Sequence, residues 1–378
     1  MAGRKSSLTW AVHIAVAFLV ALWLFPTVGL FVSSFRTGEQ ITASGWWASL
    51  FPAEQVVQVR TGGRDDAQEI DGVYVVEGNL FEENGGGGDI TRFGISSRDV
   101  AAFEVGTAAE FGDGETLTVA ANGDYRYTSP EEPGRRGQRT FLTAVSPPEF
   151  TTDNYETVLT ASTNDGMAKA FFNTLTVPIP ATVIPILIAA FAAYALAWMD
   201  FPGRALLIAA VVALLVVPLQ LALIPLLKLH NDIGIGKGYL GVWLAHTGFG
   251  MPLAIYLLRN YMVGLPRDII ENAKVDGATD FQIFVKIILP LSFPALASFA
   301  IFQFLWTWND LLVALVFLID SSGQTTVMTR QIVELLGTRG GDWEILATAA
   351  FVSIAVPLIV FFAMQRYLVR GLLAGSVK

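Results

Sequence analysis

Six apolar stretches, each close to twenty residues or longer, decide what this chain can become. A hydrocarbon layer about 30 Å thick is crossed by roughly 20 apolar residues in helical form. In lipid, a helix satisfies all of its backbone N–H and C=O groups within itself. The stretches are approximately 10–32, 172–199, 205–227, 240–258, 287–319 and 345–368. The fifth is over-long and carries Pro290 and Pro294, so its first turns are expected at the membrane surface, before the span proper. The first is too long for a cleaved signal peptide, contains Pro26 and lacks a small-x-small site at its end, so it is expected to remain as a span. Composition agrees: 15% of residues are charged, whereas a soluble domain carries about 25%.

Several chemistries are excluded early. The chain has no cysteine, hence no disulfide, thiolate metal site or cysteine nucleophile. His13, His230 and His246 are its only histidines and lack ligand spacing, so no metal site is expected. Lys237 sits in GIGKGY, but Gly238 stands where a nucleotide-binding loop needs Ser or Thr, and Asn231 occupies its first glycine position. The chain is therefore not expected to hydrolyse ATP. The net charge of −9 belongs to one region: residues 36–170 hold 22 acids and 10 bases. No basic patch points to nucleic acid.

Orientation follows from the short loops, where Lys and Arg favour the cytoplasmic side. A cytoplasmic N-terminus puts Arg4, Lys5, Arg204, Arg259, Arg267, Lys274, Lys286, Arg366, Arg370 and Lys378 inside, against Lys228, Lys237, Arg330 and Arg339 outside. Both termini are then cytoplasmic, and the long segment 45–149 is extracytoplasmic. Its short runs QVVQVR, GVYVVEG, TRFGI, AAFEVG, ETLTVA, DYRYTS and RTFLTAV are separated by turn residues, including the run from Gly85 to Gly88 and the pair Asn122-Gly123. A small β-rich inserted domain is expected. A two-residue turn at Asn122-Gly123 would set Tyr125 and Tyr127 off the face of Leu117 and Val119, which leaves the register open.

ENAKVDGATD, residues 271–280, is polar and faces the cytoplasm in this orientation. Pro266 suits a first helical turn, Asp268 favours the positive helix end, and Ile269, Ile270 and Ala273 form a narrow apolar stripe. Gly277 can take the left-handed conformation that ends a helix. Thr279-x-x-Gln282 then restarts one with a capping-box pattern, and Phe281, Phe284, Val285 and Ile288 make its expected apolar face. An amphipathic hairpin on lipid headgroups is one reading, but such a helix is normally rich in Lys and Arg. Here Asp268, Glu271, Asp276 and Asp280 match or exceed the local bases, which points to a protein partner.

GLPRDIIENAKVDGATDFQIFVKIILPLSFPAL resembles the EAA motif of ABC-importer permeases. Glu271, Asn272 and Ala273 stand for E-A-A, Asp276-Gly277-Ala278 for the following D-G-A, and Ile287-x-Leu289-Pro290 for the tail. Asn272 departs from the usual alanine. FPTVGLFVSSFRTGEQI, FTTDNYETVL, FFNTL, AAYALAWMDFPGR, WTWNDLL and QRYLVRGLLAGSVK resemble the maltose-type carbohydrate permeases, and the insert with its flanking SGWW is most like the α-glucoside-type members. The resemblance implies an all-α polytopic membrane protein of six transmembrane helices, the type I ABC importer permease fold. It would carry a small external β-rich insert at 45–149, after residues 1–44 and before a core at 150–378 whose coupling loop lies at about 261–290.

The same resemblance implies a homologous second permease, a pair of ATPases that bind ATP and Mg2+, and an extracytoplasmic sugar-binding protein. Glu271 would be the polar contact to the ATPase, Ala273 the close-packing position and Gly277 the turn. Trp306, Trp308, Asn309 and Asp310 are candidates for the sugar path, since aromatic faces suit sugar C–H surfaces and amides or carboxylates suit hydroxyls; the tryptophans could equally be an interfacial belt and the polar pair a gate. Asp310 is expected about nine residues inside the outer end of its span. Gln220 is either glue between helices or a ligand contact. Gly248, Gly250 and Pro252 suggest a kink or a flexible segment in the fourth span. A membrane-anchored sensor or secondary carrier, with the insert binding ligand, is the alternative.

Overall fold

The computed structural model describes residues 7–84, 87–160, 166–319 and 323–374. Arg4, Lys5, Gly85, Gly86 and Lys378, which entered the reading above, lie outside the described residues. Contacts divide the chain into two units, Met1–Asn154 with Asp342–Thr348, and Tyr155–Gly341 with Ala349–Lys378.

The first unit begins with α1 (Ser7–Ser33), long and apolar enough to cross a membrane and only 6% buried, so it packs on little of its own chain. Polar groups fasten its end. The buried Arg36 guanidinium donates to the Ser44 carbonyl at 2.9 Å and to Ser44 Oγ at 2.6 Å, closing the short α2 (Gly38–Ala43) with a cation at its C-terminus. The Ser34 carbonyl accepts from Asn154 Nδ2 at 3.0 Å and from Thr348 Oγ1 at 3.1 Å, and Asn154 also donates to the Arg36 carbonyl at 2.9 Å.

Between these ties lie β1 (Ala53–Arg60), β2 (Gln68–Ile70), β3 (Val73–Asn79), α3 (Leu80–Asn84), β4 (Asp89–Gly94), β5 (Phe103–Glu104), β6 (Ala108–Glu110), β7 (Thr116–Val119), β8 (Asp124–Ser129) and β9 (Arg139–Ser146). They form two antiparallel sheets, β1-β9-β4-β5 and β2-β3-β8-β7-β6. Alternating residues of both sheets, among them Val59, Ile90, Phe93, Leu142, Val76, Leu117 and Val119, bury one shared core. Each of the seven expected runs contains a strand. The sequence did not announce β2, β6 or α3, because QEI and AAE are too short and polar to alternate.

The β7–β8 hairpin resolves the open register. Ala120 and Asp124 close it, so the loop is three residues, Ala121, Asn122 and Gly123, with Gly123 at φ +92°. One extra loop residue pairs Val119 with Tyr125 and Leu117 with Tyr127, which puts both tyrosines in the core. The Tyr125 hydroxyl accepts from the Gly62 N–H at 2.6 Å and donates to the Glu83 carboxylate at 3.1 Å. Burial, the largest cause, pushes the Tyr125 pKa from 10.0 up to about 12 and holds Glu83 above its ordinary value. The fold therefore favours the neutral phenol: its contribution is complete below pH 10 and is lost as pH rises through about 12. Tyr125→Phe strands the Gly62 donor and is expected to cost about 1–2 kcal/mol, read as roughly five- to thirtyfold faster amide exchange in β7 and β8 of the purified protein.

The chain passes through α4 (Asp153–Thr160) into the second unit. There α5 (Met167–Leu175) and α6 (Pro178–Trp198) together make the second candidate span. The third departs from expectation. It is not one helix but α7 (Arg204–Leu214) and α8 (Leu219–Asp232), meeting at 109°. The reason is Pro218, which sits in extended backbone, lacks an N–H and pushes the residue before it out of helical conformation.

The fourth, α9 (Tyr239–Val263), runs as one helix through Gly248, Gly250 and Pro252. Gly250 serves a close approach: a Cβ there would lie 2.5 Å from the Gln303 side chain, whose Nε2 donates to the Ala181 carbonyl at 3.1 Å and the His246 carbonyl at 3.3 Å. Small residues let α6 approach α9 closely, with Ala189, Ala190, Ala193 and Ala197 facing Ala254 and Leu258 in one core.

After α9 come α10 (Arg267–Val275), α11 (Asp280–Ile283), a π-helical turn Phe284–Ile288, α12 (Leu289–Leu291) and α13 (Phe293–Trp308). Asp280–Leu291 meets α13 at 69°, a break that falls between Pro290 and Pro294. The span ends sooner than foreseen, at Trp308. Asp310 therefore lies just beyond the helix end rather than well inside it, before α14 (Leu312–Phe317). α15 (Met328–Thr338) and α16 (Trp343–Ala374) complete the chain, and α16 is the last candidate span. Among the described residues four helices are long and apolar enough to cross a membrane, and up to six when each bent pair counts as one span.

Candidate coupling loop and translocation cavity

Pro266, in extended backbone, stands just before α10, whose C-terminal turn is stopped at Gly277 with φ +80°. The Gly277 N–H donates to the Lys274 carbonyl and the Ala278 N–H to the Ala273 carbonyl, each at 3.0 Å, which satisfies carbonyls left open by the helix end. Thr279 then caps α11 reciprocally: Gln282 N–H to Thr279 Oγ1 at 3.3 Å, and Thr279 N–H to Gln282 Oε1 at 2.9 Å. Two short helices and a left-handed turn between them are thus present as the residues require.

The loop has an inner and an outer side. Ile270 is 4% exposed and joins Ile283, Phe284 and Ile288 in the core built from α6 and α9, with Ala273 and Ala278 packed against it. The expected stripe differs on both helices. Ile269 is exposed, and the second helix buries Ile283 in place of Phe281 and Val285, because the π-helical turn from Phe284 changes the 3.6-residue rotation. Asp280 fastens the turn, accepting from the Tyr194 hydroxyl of α6 at 3.2 Å and facing Lys274 Nζ at 3.4 Å. Glu271, Asn272, Asp276 and Gly277 face outward. The Glu271 carboxylate meets Arg267 Nε at 2.8 Å in an exposed pair, a geometry that adds little stability and leaves both groups available.

A second feature lies beside the broken helix pair. A cavity of about 1460 Å3 is lined by Leu214, Leu215, Val217 and Gln220 of the α7–α8 region, Gly248, Phe249 and Pro252 of α9, and Trp306, Asn309 and Asp310 at the end of α13. Four of the five residues singled out for the sugar path, Gln220, Trp306, Asn309 and Asp310, thus line this cavity. Trp308 does not. It is 1% exposed, donates from Nε1 to the Ser353 carbonyl at 3.0 Å and packs its ring near Phe171 and Phe304. Asp310 has a backbone duty as well: its Oδ1 accepts from the Val313 N–H at 2.8 Å, starting α14 after the break.

Local periodicity missed Tyr194, Ile283 and Gln303, whose partners lie on other elements, and it read Asp280 only as a surface charge; Ile270 of the expected stripe is buried as read. Among the described residues no group of three or more His, Asp or Glu side chains could hold a metal ion.

Comparisons with known proteins bear on this arrangement. The family model described as "Binding-protein-dependent transport system inner membrane component" matches residues 167–373. The chain is 61% identical over 381 residues to the alpha-glucoside transport system permease protein AglG of Rhizobium meliloti, covering 99% of this chain and 98% of that one. It is 59% identical over 230 residues to the osmoprotective compounds uptake permease protein GgtD of Synechocystis sp., covering 61% of this chain and 76% of that one. Among solved structures, a bacterial ABC transporter involved in the import of the acidic polysaccharide alginate matches 97% of this chain and 99% of its own, with a TM-score of 0.56 at 16% identity, a likeness of fold. With six apolar stretches, an exposed polar loop seated on the helical core and this match across most of the second unit, the chain belongs to the binding-protein-dependent transport system inner membrane components, the permease subunits of ABC importers.

Proposed function

We propose that this permease subunit carries sugars inward, α-glucosides or related disaccharides, along a path completed by a homologous second permease subunit. The observation that carries the sugar reading is 61% identity, across 99% of the chain, to a relative whose name states alpha-glucoside transport. In this reading both termini are cytoplasmic in the inner membrane of a prokaryote. Segment 45–149 is an extracytoplasmic domain between residues 1–44 and the core 150–378, and it meets an external sugar-binding protein at the mouth of the path.

A pair of ABC ATPases supplies the energy, holding ATP and Mg2+ that this chain does not bind. The outward side of α10, with Glu271, Asn272 and Asp276, seats in an ATPase cleft. Ala273 and Ala278 hold the loop to its own core, and Gly277 turns the chain back toward the membrane. Because Ile270 and Ile283 are embedded among α6 and α9 residues, displacement of α10 carries those helices with it, as packed elements move as bodies. Sugar passes Gln220, Trp306, Asn309 and Asp310, while Trp308 is packed among Phe171, Phe304 and Ser353.

The test is uptake by the reconstituted complex from a panel of disaccharides, amino acids and phosphate. ATP-dependent uptake of an α-linked disaccharide is the expected result. Uptake confined to amino acids or phosphate would overturn the sugar assignment. Transport by the chain alone, without ATP, would overturn the coupling and restore the secondary carrier.

A further inference from the structure

Residues 40–53, QITASGWWASLFPA, form an uncharged run in the otherwise acidic region that follows α1. Its apolar side chains are not buried in the β core. Trp47, Leu50 and Phe51 are 68%, 74% and 67% exposed. The run also folds back onto the span. Trp46 packs on Gly29, where a Cβ would lie 2.6 Å from its Nε1, and its ring centroid is 4.5 Å from that of Phe25. Trp47 stacks on the same Phe25 at 6.2 Å. Gly29 and Phe25 precede the end of α1 by four and eight residues, which places them about 6 and 12 Å down its axis at 1.5 Å per residue.

We infer that the Trp46–Phe51 segment is an interfacial lipid-binding surface, inserted among the headgroups and upper acyl chains on the side where α1 ends. Three observations favour lipid over a protein or water. The segment is continuous with the apolar surface of α1, which is itself exposed along nearly its whole length. Its depth along α1 matches the layer where tryptophan's amphipathic ring settles. The stretch is uncharged, whereas residues 54–149, which follow it, carry a large excess of Asp and Glu over Lys and Arg. Bound in this way, the segment fixes the height of the β-rich unit above the bilayer, since β1 begins two residues after Phe51.

The absence of cysteine makes a direct test clean. Single cysteines at Trp47, Leu50 and, as a water reference, Glu69 are introduced into the full chain, which is spin-labelled and reconstituted in nanodiscs with the subunits that copurify. Labelling of the unmodified chain sets the background from those subunits. Labels at positions 47 and 50 are expected to be several-fold more accessible to oxygen than to a water-soluble nickel complex, relative to position 69. Nickel accessibility equal to that at position 69 would overturn the inference. Protection from both reagents would also overturn it, since a protein would then cover the segment.

Discussion

Replacing Gly277 with valine is expected to abolish ATP-driven uptake while the chain still reaches the membrane with its helices intact. The residue sits at φ +80°, and a Cβ added there would meet nothing within 4 Å, so the cost is backbone conformation and not collision. For alanine the left-handed region costs about 1–2 kcal/mol, and for a β-branched residue more. Valine relieves that strain by letting α10 continue as helix, which breaks the Gly277-to-Lys274 and Ala278-to-Ala273 hydrogen bonds and misdirects α11.

The substitutions should therefore grade: asparagine, which visits this region readily, stays near normal, alanine is impaired, and valine falls to background. Glu271→Arg tests the outward side separately, because the exposed carboxylate would be replaced by a cation beside Arg267. Copurification of the ATPase subunits, and ATP hydrolysis stimulated by the binding protein, are the measurements. Full uptake by Gly277→Val would remove the turn from the coupling path.

The legible parts of this chain were those written in short-range chemistry. Helix length follows from apolar run length, so α1, α5 with α6, α9 and α16 could be placed within a few residues. The loop of residues 266–282 could be read because Gly277, Thr279 and Gln282 act on backbone groups three or four residues away. Hydropathy overrode stereochemistry at Pro218: VVPLQLALIP is apolar enough to be read as span, yet the proline forces a 109° break. That break matters, because the cavity of about 1460 Å3 lies against it.

Other features depended on partners far along the chain. Asn154 belongs to FTTDNYETVL, where nothing local marks it as the amide that ties Ser34 and Arg36. Gly250, with Gly248 and Pro252, read as a kink or a flexible segment, whereas its neighbour Gln303, 53 residues on, makes it a contact point. The register of β7 and β8 turned on one loop residue, and burial of Tyr125 and Tyr127 decided it. Trp306 and Trp308 are adjacent in composition and role on paper. Two residues of helix turn them to opposite sides, one to the cavity and the other into the packing with Phe171.

Asp310 separates two explanations that the sequence left together, a gate or packing residue and a sugar contact. Its Oδ1 starts α14 through the Val313 N–H, while the residue also lines the large cavity beside Trp306 and Asn309. Asp310→Asn keeps an acceptor for that N–H and removes the charge; Asp310→Ala removes both. A hydrogen bond from a neutral donor to a charged acceptor contributes about 1.5–3 kcal/mol, so loss of one sugar contact in the asparagine variant is expected to lower uptake efficiency roughly ten- to a hundredfold. Its abundance and its binding-protein-stimulated ATP hydrolysis should stay near normal, because the coupling loop is untouched. The alanine variant should in addition lose abundance, by the roughly 1 kcal/mol that a helix-start acceptor provides. Unchanged uptake by Asp310→Asn would confine Asp310 to its helix-capping duty and leave Trp306, Asn309 and Gln220 to carry the sugar path.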